Sequence, residues 1–264
     1  MENTVLTSTI MFKNNRIVDV FALFDKLSLF DIEFHLGSFL VDPVDFHDTR
    51  QMKTTYFGER PILMCDGGWW DFAAKGAKYY REILTNQVDQ TEALGCHRLR
   101  LFLTQLDYKY ATMPLIHTMT ANVIKFVEEY CIPRQVKICF ETHNSLTCND
   151  AFMGFFWQSL PESIKPWVGI VLDIENCINN RKDIKPTVGS ILEDWTTNVH
   201  PDAISHIHLK PSSWKMKNDL KYWLPKILEN DNKTIGLEVE PHMNMNILDL
   251  INWNNEVKSE IKEW

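Results

Sequence analysis

The chain has 264 residues, 45% of them hydrophobic and 23% charged, so it can build a full core and carries no signature of disorder. Its formal charge of -8 argues against DNA or RNA as a partner, because phosphate neutralisation by a basic face supplies most of that affinity. The same charge leaves room for a small neutral substrate or a divalent cation.

In chain order, VLTSTIMF (5–12) is the first strand candidate. A helical pattern follows over 16–30, with Ile17, Phe21, Phe24 and Leu27 at helical spacing. DIEFHLG (31–37) and PILMCDGG (61–68) are short apolar runs closed by glycine. A long helix is predicted from about Asp71 to Leu94, stopped by Gly95. RLRLFL (98–103) is a fourth strand. Pro114 opens a helix that ends near Cys131, just before Ile132-Pro133. QVKICFETHN (135–144), WVGIVLDIEN (167–176), AISHIHLKP (203–211) and TIGLEVEP (234–241) are four more β-rich runs. Helical patterns at 150–160, 187–198 and 218–229 separate them, and a last helix covers 246–263.

Strict alternation of strand and helix implies a parallel sheet with crossover helices. Eight such units in this length favour a closed (β/α)8 TIM barrel, an α/β fold in one domain over 1–264. No G-x-G-x-x-G follows any strand, which removes the main support for an open dinucleotide-binding sheet. The six cysteines form no C-x-x-C pair and read as reduced, buried thiols. The first residues lack the basic start and apolar run of a signal peptide. No apolar stretch approaches the roughly 18 residues of a membrane span, so a cytoplasmic protein is expected, with no membrane partner.

A barrel of this type carries its active site at the C-terminal ends of the strands. Four apolar runs there end in a charged or ligand-type residue: Glu141, Asp173, His208 and Glu238, which lie 32, 35 and 30 residues apart. Each spacing is close to one βα unit, so the four are expected at equivalent positions on adjacent strands. A lone glutamate at a strand end usually caps a helix or joins an ion pair. Three carboxylates converging on one space repel unless one protonates or a cation joins them. One imidazole with three carboxylates suits Mn2+, Mg2+, Co2+ or Fe2+, and Mn2+ is the first expectation.

These segments resemble the xylose isomerase-like barrel superfamily, in particular its sugar epimerase and isomerase branch related to ketose 3-epimerases. ICFETHN is similar to the strand-five motif whose Glu binds metal. HIHLKP is close to H-[VI]-H-L-K-D, whose second His is a ligand. GLEVEP is like the strand-eight motif, and VLDIEN matches the strand-six aspartate motif less fully. Two positions depart: Asn176 stands where the family usually has His, and Pro211 where it usually has Asp. The resemblance implies a metal-dependent isomerase or epimerase acting on a keto-sugar or related polyhydroxy compound. Glu141 and Glu238 would then be the catalytic pair, moving protons through a cis-enediolate. Barrels of this kind often pair, so a homodimer is a further expectation.

Other residues near the mouth are candidates of lower rank. Trp69 and Trp70 follow the third strand and suit stacking on a sugar face. Asp66 and His35 have inward parity at their strand ends. Asn176 can hydrogen-bond a hydroxyl, and Lys210 can reach a substrate oxygen. His143, with Thr142, is placed to orient Glu141. Glu175 and Glu240 are expected to face solvent. Three readings compete: a lyase or dehydratase acting on a keto acid, a phosphodiesterase similar to the endonuclease IV group, and a barrel that keeps the site without turnover. The phosphodiesterase reading lacks the extra histidines of a three-zinc cluster.

Overall fold

The computed structural model describes residues 4–12, 17–27, 31–36, 62–68, 71–73, 78–181, 186–229, 233–240 and 245–264, with Gln51, Thr54, Gly58 and Met243. Among them, parallel strands close into a ring in chain order. These are β1 (Thr4–Ser8), β2 (Ile32–His35), β3 (Met64–Asp66), β4 (Arg98–Leu101), β5 (Lys137–Glu141), β6 (Val168–Asp173), β7 (Ile204–Leu209) and β8 (Thr234–Leu237). β8 pairs in parallel with β1, which makes the sheet a barrel with no free edge.

The helices are α1 (Ile17–Lys26), α2 (Lys78–Ala93), α3 (Met113–Phe126), α4 (Asp150–Gln158), α5 (Ile174–Asn180), α6 (Val188–Asn198), α7 (Pro211–Trp214), α8 (Lys217–Ile227) and α9 (Ile247–Lys262). Four of them, α4, α5, α6 and α9, start where a side chain takes an orphan backbone N–H. Asn149 accepts from Phe152 N at 2.8 Å ahead of α4, and Thr187 and Asn246 form capping boxes for α6 and α9. α3 runs into a wider helical turn over Val127–Cys131 before the chain reverses at Gln135. Two short helices, α5 and α7, were not anticipated. Strand β6 stops at Asp173 instead of running on to Asn176, because Asp173 caps α5. None of the described helices is long and apolar enough to cross a membrane.

Two apolar layers result from strand alternation. Outward residues such as Leu99, Phe140, Ile170, Ile207 and Leu237 pack under the helices with Phe156 and Trp195, all fully buried. Inside the barrel, Leu6, Met64, Cys139 and Val171 form a separate small cluster. All six cysteines are buried and unpaired, as the sequence suggested.

The register corrects the expectation that the four ligand-type residues stand level. Asp173 does lie opposite His208. Glu141 lies opposite Val171, two residues short of Asp173, and His208 lies opposite Gly236, two residues before Glu238. This stagger is the shear that closing a tilted sheet requires. Steps of two preserve the inward parity, so all four side chains still enter the barrel mouth.

Candidate metal centre

Inward-pointing ionisable groups crowd the mouth from seven strands. They are Glu33 on β2, Asp66 on β3, Arg100 on β4, Glu141 on β5, Asp173 on β6, His206 and His208 on β7, and Glu238 just past β8, with Lys210 just past β7. None is more than 5% exposed. Burying so many charges is costly unless they are paired or ligated.

His208 is the pivot. Its Nε2 lies 2.7 Å from Glu33 Oε1. Its Nδ1 is buried without a hydrogen-bond partner, 3.9 Å from Glu141 Oε1 and 3.8 Å from Glu238 Oε2. Those distances are too long for hydrogen bonds. Glu141, Asp173 and His208 each offer a ligand atom, and these atoms lie within 4.8 Å of one another. Oxygens of Glu141, Asp173 and Glu238 are likewise buried without hydrogen bonds. Hard carboxylate oxygens and one imidazole nitrogen converge on one space, the oxygens facing only the Arg100 and Lys210 cations and the nitrogen without a partner. Such a donor set fits a divalent cation. A second group, Glu33 with His206 and His208, also has ligand chemistry. There His208 Nε2 is already spent on Glu33 Oε1, while Glu33 Oε2 and His206 Nε2 face each other at 3.4 Å without a hydrogen bond, so the group reads as the outer support of His208.

Close packing makes that support possible. Gly236 faces His208 across the sheet, and a Cβ there would fall 2.2 Å from Glu33 Oε2 and 2.5 Å from His206 Nε2. Only glycine leaves room for the Glu33 carboxylate between the two rings.

Two cations share the mouth. Arg100 Nε is 3.2 Å from Asp66 Oδ1 and 3.0 Å from Glu141 Oε2. Lys210 Nζ is 3.1 Å from Asp173 Oδ2, 3.2 Å from Glu238 Oε2 and 2.9 Å from Glu240 Oε1. Five buried acids (Glu33, Asp66, Glu141, Asp173 and Glu238) therefore face two permanent cations. The excess appears as displaced proton affinities. Burial, reinforced by Glu238 and Glu141 against the pull of Lys210, pushes Asp173 up to about 7. Burial likewise raises Asp66 well above its usual range despite Arg100. Burial also opposes ionisation of Glu141, but Arg100 and His208 outweigh it and hold that carboxyl down at about 2. Although burial works against it, the surrounding carboxylates, Glu33 first, raise His208 well above its ordinary value. Without a metal, protons supply the missing positive charge.

The lower-rank candidates fare unevenly. Asp66 enters the mouth and binds Arg100. Asn176 spends its amide on the protein, with Nδ2 donating to Glu141 Oε1 at 3.2 Å and to Thr142 O at 3.1 Å. It orients Glu141, the role the sequence suggested for His143. The half-buried His143 ring instead lies edge-on to Phe102, with centroids 4.7 Å apart. Thr142 ties the two ligand strands together: its Oγ1 accepts from Asp173 N at 2.9 Å. His35, half-buried opposite Asp66 in the β2–β3 register, donates its backbone N–H to Thr9 Oγ1 at 2.8 Å. Glu240 pairs with Lys210, and Glu175 accepts a hydrogen bond from Ser212. Trp69 and Trp70 lie outside the described residues. Sequence reasoning missed Glu33 and Arg100. Each sits between two apolar neighbours in a strand, at inward parity, and that alternation was the available signal.

Comparisons with known proteins agree with this architecture. The family model described as "Xylose isomerase-like TIM barrel" matches residues 52–259. No curated protein sequence matches the chain. Among solved structures, it resembles D-psicose 3-epimerase from Clostridium cellulolyticum H10, crystallised with D-tagatose. That match has TM-score 0.67 and 10% identity, over 98% of this chain and 97% of that one. It also resembles the probable 3-DHS dehydratase AsbF involved in petrobactin synthesis from Bacillus anthracis, with TM-score 0.65 and 14% identity over 98% and 97%. A third is IOLI protein with a bound zinc atom, with TM-score 0.66 and 14% identity over 97% and 96%. At such identities these structures share the fold. With most of its length matched by the family model and its barrel closed in the same way, the chain belongs to the xylose isomerase-like TIM barrel family.

Proposed function

We propose that this barrel is a divalent-metal-dependent isomerase or epimerase of a keto-sugar or related polyhydroxy carbonyl compound. Glu141, Asp173, His208 and Glu238 would hold the ion. The observation that carries the reading is the orphaned Nδ1 of His208. Its Nε2 is engaged by Glu33, so Nδ1 turns toward two carboxylates that it cannot reach by a hydrogen bond. In the metal-free site a proton on Nδ1 answers those carboxylates, in keeping with the raised proton affinity of His208. A bare lone pair there would be repelled unless a cation lay between, and a divalent ion can take the place of that proton.

A divalent ion held there would polarise a substrate carbonyl and its neighbouring hydroxyl, and would stabilise the negative charge that builds on them. The protein's own groups do the rest. One glutamate takes the proton from the carbon beside the carbonyl, and the C–H electron pair passes toward the carbonyl oxygen. The other glutamate delivers a proton to the opposite face or to the adjacent carbon. Arg100 on Oε2 and Asn176 on Oε1 fix the orientation of Glu141. Lys210 is shared among Asp173, Glu238 and Glu240. The half-exposed Glu240 can retain it when a cation takes the inner carboxylates, leaving the ammonium at the rim to meet a substrate oxygen.

The test is deuterium uptake from heavy water into candidate ketoses, with Mn2+-loaded protein. Glu238→Gln should lower exchange by roughly 100-fold or more while the melting temperature stays near that of the parent. Undiminished exchange in that variant would sink the two-glutamate mechanism. Elemental analysis after dialysis against Mn2+ should give about one equivalent per chain for the parent and much less for His208→Ala.

A further inference from the structure

The opposite, N-terminal end of the barrel carries a second polar cavity, of about 590 Å³. Its walls come from the starts of the strands and the turns before them. Arg98 opens β4, Lys137 opens β5, Lys165 precedes β6 and Lys233 precedes β8. Two acids, Glu162 and Asp202, also line it. Four cations against two acids is an inversion of local charge in a chain whose formal total is -8. Glu162 is already paired with Lys165.

The inner wall holds donors without acceptors. Among the described residues, the Lys137 ammonium makes no hydrogen bond or ion pair. Ser205 Oγ is buried with no hydrogen-bond partner. Ser205 is there because the β6–β7 register skips it: Ile170 pairs with Ile204 and Val171 with His206. The resulting bulge brings the hydroxyl beside Gly169, where a Cβ would fall 2.2 Å from Ser205 Oγ and 2.9 Å from Lys137 Cε. Arg98 donates one N–H to Thr234 Oγ1 at 3.1 Å. Burial first, then the neighbouring Arg98, depresses Lys137, and burial depresses Lys233 despite Asp202. Burial is the main cause of both shifts, and repulsion from a neighbouring cation adds to each, Arg98 on Lys137 and Lys137 on Lys233.

We propose that this floor cavity binds a small phosphate-class anion, with Lys137 and Ser205 as its innermost donors and Arg98 beside them. A tetrahedral oxyanion presents acceptors in several directions, which suits donors converging from separate strands better than a planar carboxylate does. The site is separate from the mouth, and its existence does not depend on the activity proposed there.

The experiment is titration of the metal-free chain with inorganic phosphate at constant ionic strength, read by calorimetry and by the ³¹P line width. Saturable binding is expected. It should weaken by about tenfold in Lys137→Met, be largely retained in Lys137→Arg, and be unaffected by Lys210→Met, which alters the cations of the other end. Ser205→Ala, a change too small to threaten folding, should weaken it several-fold and decides the matter if Lys137→Met does not fold. Absence of saturable binding in the parent, parental affinity in the floor variants, or loss in Lys210→Met alone would each overturn the proposal.

Discussion

Asp173 holds a proton near neutrality because too many acids share one space, and this makes it a reporter of what neutralises them. In the metal-free protein it titrates at about 7, whereas an unfolded aspartate titrates at about 3.9. Between those values the folded state keeps a proton that the unfolded state has lost, so this residue's contribution to stability falls as pH rises from about 4 to about 7. A bound cation would hold the carboxylate ionised and add stability of its own. Melting temperatures in chelator should therefore decline across that window, and Mn2+ should raise them and flatten the decline. Superimposable curves with and without Mn2+ would count against the cation. Glu33 offers a second test. Glu33→Gln removes the anion that orients His208, and should cost about 10–100-fold in Mn2+ affinity while far-ultraviolet circular dichroism stays unchanged. Glu141, Asp173, His208 and Glu238 were legible in the sequence because each ends an apolar run at the spacing of one βα unit. Glu33 was not, because its partner lies 175 residues away along the chain and only barrel closure joins them.

At the scale of elements, one residue serves both the candidate metal centre and a helix. Asp173 Oδ1 accepts the backbone N–H of Asn176 at 2.8 Å and so starts α5, while Oδ2 faces the mouth. The sequence pattern runs the strand on through Ile174 because an apolar residue after VLD looks like more strand. The carboxylate overrides that propensity by giving the backbone a reason to turn. The two roles come apart by substitution. Asp173→Asn keeps a capping oxygen and should lose most metal affinity with little loss of metal-free stability. Asp173→Ala should lose both, with the missing cap alone costing about 1 kcal/mol. Equal urea midpoints for the two metal-free variants would remove the cap from the account. Pro211 tells a similar story: it stands where the resembled motif has an acid, and it is the first residue of α7.

For the whole molecule, alternation of strand and helix was enough to read a closed barrel, because each crossover unit lies beside the next in chain order. The sequence could not show how the ring is fastened. The last helix, α9, reaches back to the first strand: Asn254 Nδ2 donates to Thr7 Oγ1 at 2.6 Å, with both groups buried. Asn254→Ala would strip Thr7 of that donor and open a small void, so unfolding free energy in urea should fall by about 1–3 kcal/mol. A midpoint unchanged from the parent would show that β1 is held by its strand neighbours alone.

The hydrogen bond from Arg98 to Thr234 is the lower end of a relay whose polarity is set from above. The ionised Glu33 carboxylate can only accept. It draws a ring proton of His208 to Nε2, 2.7 Å from Oε1, and one of His206 to Nε2, 3.4 Å from Oε2. A neutral His206 then offers only a lone pair at Nδ1, which takes the Thr234 hydroxyl proton across 2.6 Å. That hydroxyl, its one proton spent, accepts from Arg98 at 3.1 Å. A single carboxylate thus fixes the tautomers of two histidines, and it keeps Nδ1 of His208 on the side of the ligand space.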